Sequence, residues 1–359
     1  MKPIFFDLFC GAGGLSKGLC EAGLQVGAAV EIDPVAISTF EKNIGVKVIN
    51  KDILEVKGGE LLKHAKIKKG ELFLLAGCPP CQGFSQIRNN DEGSKDKRNQ
   101  LVFEFVRLVK EIEPIFLLME NVPGITRKSG KKILNAALDE LSEKYFMKHA
   151  IVNAADYGVP QTRKRFILHG IRLDVYKIFF SSTGFDLPKK THSSINDDQL
   201  KPWKTAEVIR DLPPINAGEK STLQGLTNHI ACKMSELNLK RIRYIHENGY
   251  LPDNLRPPCH KKAGINYTDV YNVMHWDKPA PTITGGFNYF SKGRFGHPEQ
   301  DRALTAREAA RLQTFEDNYE FFGNMIQVSK QIGNAVPPLL AYKSGEYFLN
   351  FWKQRKMKM

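Results

Sequence analysis

The sequence predicts an α/β protein: a doubly wound, mostly parallel sheet with a second, smaller and irregular domain. Two observations lead to this prediction. In the first half of the 359 residues, short β-branched or aromatic runs alternate with segments of helical periodicity, as they do in successive βα units. A glycine-rich turn joins the first run to the first helix, which is where open α/β sheets bind cofactors.

The individual elements follow from local patterns. Short apolar runs predict strands at 4–9, 26–32, 46–49, 72–75, 115–119, 149–153 and 166–171. Helical spacing predicts helices at 15–22, 99–112 and 131–141. A helix is also predicted over 305–315, with Thr305 as N-cap and Glu308 at the capping-box position, and another follows Pro338. Between them, from about 173 to 290, Pro-Pro pairs and scattered glycines predict the irregular domain.

Composition and charge narrow the class of protein. With 42% hydrophobic and 25% charged residues the chain has the composition of an ordinary folded protein. Its net charge of +13 favours a polyanionic partner such as nucleic acid. No apolar run approaches the roughly 18 residues of a membrane span, and no secretory signal is evident, so we expect a cytoplasmic protein without a membrane partner. In a reducing compartment we expect its six cysteines not to form structural disulfides.

The turn "FFDLFCGAGG" (5–14) is followed by acidic residues at the ends of the next two predicted strands. Glu31 suits the two hydroxyls of a ribose, and Asp52 could read an exocyclic amine. The alternative is a glycine turn that only reverses the chain. Neither the dinucleotide pattern G-x-G-x-x-G nor a P-loop is present, so nothing in the turn requires a diphosphate. An adenosine-bearing cofactor without phosphates fits better, and S-adenosylmethionine is the common one.

The segment "AGCPPCQGFS" (76–85) places two cysteines three residues apart after an apolar run. Zinc is disfavoured, because no second pair of ligands has suitable spacing, so no metal site is expected. A redox pair is disfavoured because such motifs begin a helix, and a polar loop follows here. A single thiol nucleophile needs an acid nearby, and Glu120 ends the next predicted strand. The alternative is structural: a lone cysteine is usually a small buried apolar residue, and a lone glutamate such as Glu120 is usually a solvated surface residue.

Together these motifs resemble the DNA (cytosine-5) methyltransferases of bacterial type II restriction-modification systems. "DLFCGAGG" resembles the cofactor loop, "GCPPCQGFS" the catalytic loop, "ENVPG" the acidic motif and "QTRKRF" (161–166) the basic motif of that family. "RALTAREAARLQTF" (302–315) resembles a late helical motif and "QIGNAVPP" (331–338) the closing motif. Each is weak alone, but six in the family's order over nearly the whole chain are specific.

The resemblance implies a mechanism and its residues. Cys81 would add to C6 of a cytosine that is flipped out of double-stranded DNA, and Glu120 would hold N3 and the exocyclic amine. C5 would then take a methyl group from S-adenosylmethionine. Arg163 and Arg165 are candidates to orient the base and the thiolate, the alternatives being phosphate contact only or a solvated strand edge.

The resemblance also implies a Rossmann-like fold and two domains with different functions. Residues 1–172 plus 328–359 would form the catalytic and cofactor-binding domain, and 173–327 the target-recognition domain and hinge. The residues expected around the cofactor are Phe9, Gly11, Ala12, Gly13, Glu31, Ile32, Asp52, Ile53, Pro80, Leu101, Asn334, Ala335 and Val336. Those expected at the DNA are Gln82, Ser85, Arg88, Lys97 and Arg98.

Three rival functions share some of these features. A tRNA cytosine methyltransferase has the same catalytic plan but usually lacks so long an insert between the basic and late motifs. A DNA-binding protein with a decayed site is disfavoured by the intact Cys81, Glu120 and Arg163. A Rossmann oxidoreductase is disfavoured by the missing dinucleotide pattern. For the methyltransferase we expect a monomer at the nucleoid, paired in function with a restriction endonuclease but without a stable complex.

Overall fold

The computed structural model describes residues 2–80, 100–179, 184–195, 197–258 and 270–356. The chain divides into two compact units. The first consists of three separate stretches, Met1–Tyr157, Lys164–Lys190 and Val336–Met359, and the second of Gly158–Arg163 and Thr191–Ala335. Within the described ranges, no helix has both the length and the apolar character to cross a membrane.

The first unit is built on a seven-stranded sheet, and the predicted α/β fold class is confirmed. Its strands in chain order are β1 (Ile4–Leu8), β2 (Gln25–Glu31), β3 (Ile49–Asn50), β4 (Leu74–Gly77), β5 (Phe116–Asn121), β6 (Tyr145–Asn153) and β7 (Lys164–Arg172). They lie in the order β3-β2-β1-β4-β5-β7-β6. Strands β1 to β5 are parallel, whereas β7 runs antiparallel to both of its neighbours. The third predicted strand, 46–49, was misplaced, because only Ile49 and Asn50 pair with β2.

Helices cover both faces of this sheet. They are α1 (Gly14–Ala22), α2 (Pro34–Ile44), α3 (Gly58–Ala65), α4 (Leu101–Ile112), α5 (Lys128–Ser142), α6 (Leu173–Phe179) and α10 (Pro338–Lys356). On one face, Phe6 and Leu8 of β1 are buried in the same core as Phe105 of α4. The alternate residues of β1, Phe5 and Asp7, point to the opposite face, as the two-residue period of a strand requires.

That opposite face is closed by the last helix of the chain. Gly18 of α1 lies so close to α10 that a Cβ atom there would be 2.0 Å from the Pro338 carbonyl oxygen. Phe116 on β5 packs against two α10 rings, with centroid distances of 5.0 Å to Phe348 and 6.0 Å to Trp352. The predicted helix after Pro338 is therefore confirmed, and it belongs to the core of the first unit.

The second unit is largely irregular, as the composition predicts. Its regular elements are β8 (His192–Ser193), β9 (Lys201–Pro202), α7 (Glu236–Asn248), α8 (Ala306–Leu312) and α9 (Met325–Asn334). The predicted capping box of α8 is confirmed: the Thr305 side chain accepts from the Glu308 amide, and the Glu308 carboxylate accepts from the Thr305 amide.

A buried ion pair joins the start of α8 to the preceding loop. Arg302 and Glu308 are both fully buried, and the guanidinium donates to the two carboxylate oxygens at 2.7 and 2.8 Å. Burial alone raises the pKa of Glu308, but the hydrogen bonds and charge of Arg302 more than compensate and hold it below its ordinary value. Glu308 therefore stays ionised in the interior and depends on Arg302.

Replacing Arg302 with methionine is expected to lower the free energy of unfolding by about 3–5 kcal/mol, because Glu308 is left buried without its cation. Equilibrium urea unfolding followed by circular dichroism measures the loss. Arg243→Met is the matched control: it breaks an ion pair with Asp301 whose side chains are 56% and 38% exposed, and about 1 kcal/mol or less is expected. Equal losses in the two variants would contradict the assigned role of the buried pair.

Candidate active site

The carboxyl ends of β1 to β5 meet along one edge of the sheet, and the residues predicted for the site follow these ends. β1 and β4 are neighbours, with Leu8 opposite Gly77, although two strands, β2 and β3, lie between them along the chain. The strand order therefore reverses between them. In open α/β sheets such a switch point opens the crevice that binds ligands.

The glycine-rich loop after β1 has an unusual backbone. Phe9 has a φ of 60°, and Gly11 and Gly13 have φ of 52° and 89°. A bulky side chain in the left-handed region is strained by roughly 1–2 kcal/mol, and such strain is concentrated at functional sites. A Cβ atom at Gly11 would meet no atom of the described residues within 4 Å, so the loop presents an open face to them there. Ala12 and Gly13 are buried beneath it.

Glu31, at the end of β2, ties this loop to the next strand. One carboxylate oxygen accepts from the Gly11 amide at 2.9 Å, and the other accepts from the amides of Ile32 and Asp33 at 2.8 and 3.0 Å. A carboxylate has about four acceptor positions and three are used here, so capacity for about one further donor, such as a ribose hydroxyl, remains. The side chain of Ile32 is 61% exposed beside it, an apolar surface on which a flat base can pack.

The other predicted cofactor residues lie at several places. Asp52 follows β3 and caps the short turn Ile53–Glu55 by accepting from the Leu54 amide, while Ile53 is buried in the core. Pro80 follows β4 and Leu101 begins α4, both half-buried. Of the closing motif, Val336 belongs to the first unit, whereas Asn334 and Ala335 belong to the second.

Asp7, which sequence reasoning missed, lies directly under the loop. It is fully buried, and Ser16 of α1 donates to it from its hydroxyl, at 2.6 Å, and from its main chain. Gly13, the N-cap of α1, has no side chain to cap the helix, so Asp7 supplies the acceptor from the neighbouring strand. The other oxygen, Oδ1, is buried without a hydrogen-bond partner among the described residues. An acid inside the apolar run "FFDLF" was the signal that could have found it.

The groups around Asp7 share a shortage of positive charge. Burial raises the pKa of Asp7 to about 7, against the Ser16 hydrogen bonds and with help from Glu31. Burial also raises the pKa of Cys10 well above its ordinary value, and Asp7 and Glu31 raise it further. The pKa of Cys78 is raised by burial first, then by Glu120 and Asp7, and Arg165 offsets part of the increase. The part of the edge around Asp7 and Cys10 is therefore suited to a cationic ligand.

Asp7→Asn is expected to stabilise the protein at pH 8 but not at pH 4. Because the folded-state pKa of Asp7 lies above its ordinary value, the folded protein binds more protons between about pH 4 and 7, and stability falls as pH rises through that window. The full shift corresponds to at most about 4 kcal/mol, and desolvating the amide offsets part, so a gain of about 2 kcal/mol is expected. Urea unfolding across this pH range measures it; a pH-independent gain would contradict the assignment.

Glu120 lies at the end of β5. It is beside Pro79, near the start of the segment "GCPPCQGFS" (77–85), which we call the cysteine loop. Gly77 of β4 pairs with Met119 of β5, and the Asn121 side chain donates to the Pro79 carbonyl oxygen at 3.0 Å. Arg165 of β7 lies with its Nε 2.9 Å from Glu120 Oε1, and the two side chains are only 13% and 9% exposed. The fold thus brings together Glu120, Arg165 and the residues immediately before Cys81. Asn121 was not predicted, although it stands next to Glu120 in "ENVPG".

Arg163 has a different environment from Arg165. Its guanidinium is buried and donates to three main-chain carbonyls of the second unit, those of Ile283, Gly333 and Ala335, at 2.8–3.0 Å. The alternative of a solvated strand edge is therefore wrong for both arginines. Arg163 braces the segment that ends in Asn334 and Ala335, and an effect on base or thiolate stays a prediction.

Six predicted residues lie outside the described part of the chain. They are the nucleophile candidate Cys81 and the DNA-contact candidates Gln82, Ser85, Arg88, Lys97 and Arg98. What precedes them is described: Cys78 donates its amide to the Leu8 carbonyl at 3.3 Å, and Pro79 is held by Asn121. The entry to the cysteine loop is therefore fixed at the switch point.

The fold and this edge define a class of protein: a Rossmann-like enzyme with carboxylates around the switch point and an acid beside the residues that lead to Cys81. The sequence profile of C-5 cytosine-specific DNA methylases matches residues 4–349. The chain belongs to the C-5 cytosine-specific DNA methylase family, and it is a DNA cytosine-5 methyltransferase.

Individual relatives agree with this membership. The type II methylase M.HgiDII of Herpetosiphon aurantiacus is 39% identical over 350 residues, covering 95% of this chain and 93% of the relative. The type II methyltransferase M1.HphI of Haemophilus parahaemolyticus is 36% identical over 97% of this chain and 87% of its own length.

Two solved structures share the fold. A prophage-encoded protein described as a DNA modification methyltransferase (E. coli) superposes with a TM-score of 0.69 and 26% identity, covering 98% of this chain and all of that one. The S. pombe Dnmt2 methyltransferase superposes with a TM-score of 0.62 over the whole of both chains, at 15% identity.

Proposed function

We propose that this enzyme transfers a methyl group from S-adenosylmethionine to C5 of a flipped cytosine within a short duplex sequence, through a covalent bond between Cys81 and C6. One observation carries the proposal. The pairing of β4 with β5 places the entry to the cysteine loop directly beside Glu120, and the pairing of β4 with β1 places it beside the glycine-rich loop. The residues that lead to Cys81, the acid and the glycine-rich loop therefore follow strands that end at one edge, which supports the proposal.

The proposed cofactor fits the residues of this edge. Glu31 has free acceptor capacity for the ribose, the exposed Ile32 offers a surface to the adenine, and Asp52 stands at the next strand end. The open face at Gly11 allows close approach. No cation is among the described groups that shift the pKa of the buried Asp7 carboxyl or the buried Cys10 thiol, as expected of a site for a positive sulfonium. S-adenosylmethionine supplies an electrophilic methyl group that C5 of cytosine can take.

The chain's own residues would act on the base. Cytosine C5 is a weak nucleophile, and addition of the Cys81 thiolate to C6 turns C5 into an enamine-like carbon. Glu120, held by Arg165, would bind N3 and the exocyclic amine as charge builds on the ring. After C5 has taken the methyl group, loss of its proton breaks the bond from Cys81 to C6 and restores the aromatic ring.

The partner that we propose is double-stranded DNA, read by the second unit. The target base has to leave the helix at a cost of a few kcal/mol, which the cysteine loop with Gln82, Ser85, Arg88, Lys97 and Arg98 would offset through phosphate contacts. Residues 173–327 would provide target recognition. The names of the bacterial relatives, a type II methylase and a type II methyltransferase, support a role in restriction-modification. The protein would protect host DNA at the nucleoid as a monomer, without a stable complex with the endonuclease.

The test combines three measurements on the wild-type protein. Tritiated S-adenosylmethionine is incubated with the protein and either plasmid DNA or bulk tRNA, and incorporation into DNA alone is expected. Bisulfite sequencing of DNA from expressing cells then gives the sequence and the modified cytosine. A duplex with 5-fluorocytosine at that position should form a denaturation-resistant adduct. Labelling of tRNA instead, or no adduct at the correct site, would contradict the proposal.

A further inference from the structure

The buried carboxyl of Asp7 is not explained by its role as a helix cap. Capping α1 requires a single acceptor, and Asp7 Oδ2 provides it for Ser16. An asparagine in the same place would provide that acceptor without a charge. The fold nevertheless buries a full carboxyl whose Oδ1 has no hydrogen-bond partner among the described residues, and such a group costs stability.

The surroundings of Asp7 add negative rather than positive charge. The titratable groups that interact with it are Glu31 at the end of β2, Cys10 after β1, Cys78 after β4 and Cys20 on α1. None of these is a cation. The N-terminus of α1 contributes a partial positive charge, but it acts through Ser16 on the other oxygen, Oδ2. In the described part of the chain, the charge of Asp7 is therefore not neutralised by a side chain.

The position of Asp7 points to the ligand that would supply the missing charge. It lies two residues before Phe9 and four before Gly11, on the strand that carries the cofactor loop at the switch point. In a site of low dielectric constant, a carboxylate interacts strongly with a cation even without direct contact. Of the two forms of the proposed cofactor, the substrate has a cationic sulfonium and the product a neutral thioether.

We propose that Asp7 is a specificity-determining residue that favours the sulfonium cofactor over its thioether product by electrostatic attraction from beneath the glycine-rich loop. The inference rests on the proposed function. A carboxyl in this place lowers the free energy of the charged ligand and leaves that of the neutral one nearly unchanged. Burying Asp7 lowers the stability of the free protein, but its charge favours binding of the sulfonium relative to the thioether that remains after methyl transfer.

Two substitutions separate the charge of Asp7 from its hydrogen bond. Asp7→Asn keeps the shape and the acceptor but removes the charge, whereas Ser16→Ala removes the hydroxyl donor and keeps the charge. The probes are S-adenosylmethionine, sinefungin, in which an ammonium-bearing carbon replaces the sulfonium, and S-adenosylhomocysteine, the neutral thioether. Dissociation constants are measured by isothermal titration calorimetry at pH 8, with thermal unfolding as the check on folding.

Asp7→Asn is expected to weaken binding of both cationic ligands about tenfold, as roughly one pKa unit of electrostatic coupling implies, while the thioether changes less than about twofold. Ser16→Ala is expected to leave the ratio between cationic and neutral ligands unchanged. Loss of affinity for all three ligands alike in Asp7→Asn would show a purely structural role, and an unchanged ratio would equally overturn the proposal.

A second measurement needs no substitution. Because the pKa of Asp7 lies near 7 in the free protein, a bound cation that lowers it should make affinity for S-adenosylmethionine rise between pH 6 and pH 8, while affinity for the thioether stays level. Parallel curves for the two ligands would overturn the proposal even if the variants failed to fold. If wild-type protein bound none of the three nucleosides, the proposed function itself would fall.

Discussion

Replacing Cys81 with serine is expected to abolish methyl transfer, by at least about 10³-fold, as removal of a covalent nucleophile does in other enzymes. Serine has nearly the same shape but is a poor nucleophile without a dedicated base. Cys78→Ser is expected to retain most of the activity. Its thiol is held protonated, since burial, Glu120 and Asp7 all raise the pKa of Cys78.

Initial rates with tritiated cofactor on DNA that carries the target site measure both variants. Binding of the same DNA, followed by fluorescence anisotropy, should be kept by Cys81→Ser, because the substitution removes chemistry rather than the surface. Equal loss of rate in the two variants would overturn the assignment of a single nucleophile. It would indicate instead that Cys78 and Cys81 act together.

The second large effect is expected at Glu120. Glu120→Gln should lower kcat by about 10²–10³-fold, a typical loss for a group that handles a proton in the transition state. The amide can still accept a hydrogen bond from the exocyclic amine, but it cannot favour protonation of N3. The substitution also leaves the largely buried Arg165 without its 2.9 Å ion pair, so the unfolding temperature has to be measured alongside the rate.

Glu140→Gln is the matched control, because Glu140 also forms a 2.7 Å pair with a cation but lies on α5 with both side chains nearly half exposed. Its rate should stay within about twofold of wild type. Arg165→Met should give an intermediate loss, since Glu120 would keep its chemistry and lose its orientation. A Glu120→Gln enzyme with full kcat would remove Glu120 from the proposed mechanism.

The α/β class and the positions of most strands could be predicted because the central strands of the first unit are nearly continuous apolar runs. The short elements could not. β3 has only two paired residues, and α2 and α3 carry no long apolar stripe. The start of α2 did have a local signal, as Asp33 caps the helix and Pro34 occupies its first turn.

Some residues of the candidate site could likewise be predicted from the sequence, and others could not. Glu31, Asp52 and Glu120 could be predicted because strand alternation alone puts them at one edge of a parallel sheet. Asp7 could not be assigned, because its role depends on which helix packs over β1. Arg163 and Arg165 stand two residues apart in "QTRKRF" and look alike in sequence. Only the fold shows that one braces backbone carbonyls and the other holds Glu120.

The closing helix of the chain has a consequence for synthesis. The first unit needs residues 336–356 to cover the face of the sheet that carries Phe5 and Phe116, and these residues leave the ribosome after all seven strands. Until then, a nascent chain holds all seven strands but exposes one apolar face to solvent, a state prone to aggregation. The glycine-rich loop begins α1, the helix against which α10 packs. A chain cut short before α10 therefore lacks support for the glycine-rich loop, so that we expect a molecule to become competent to modify DNA only after α10 has been made.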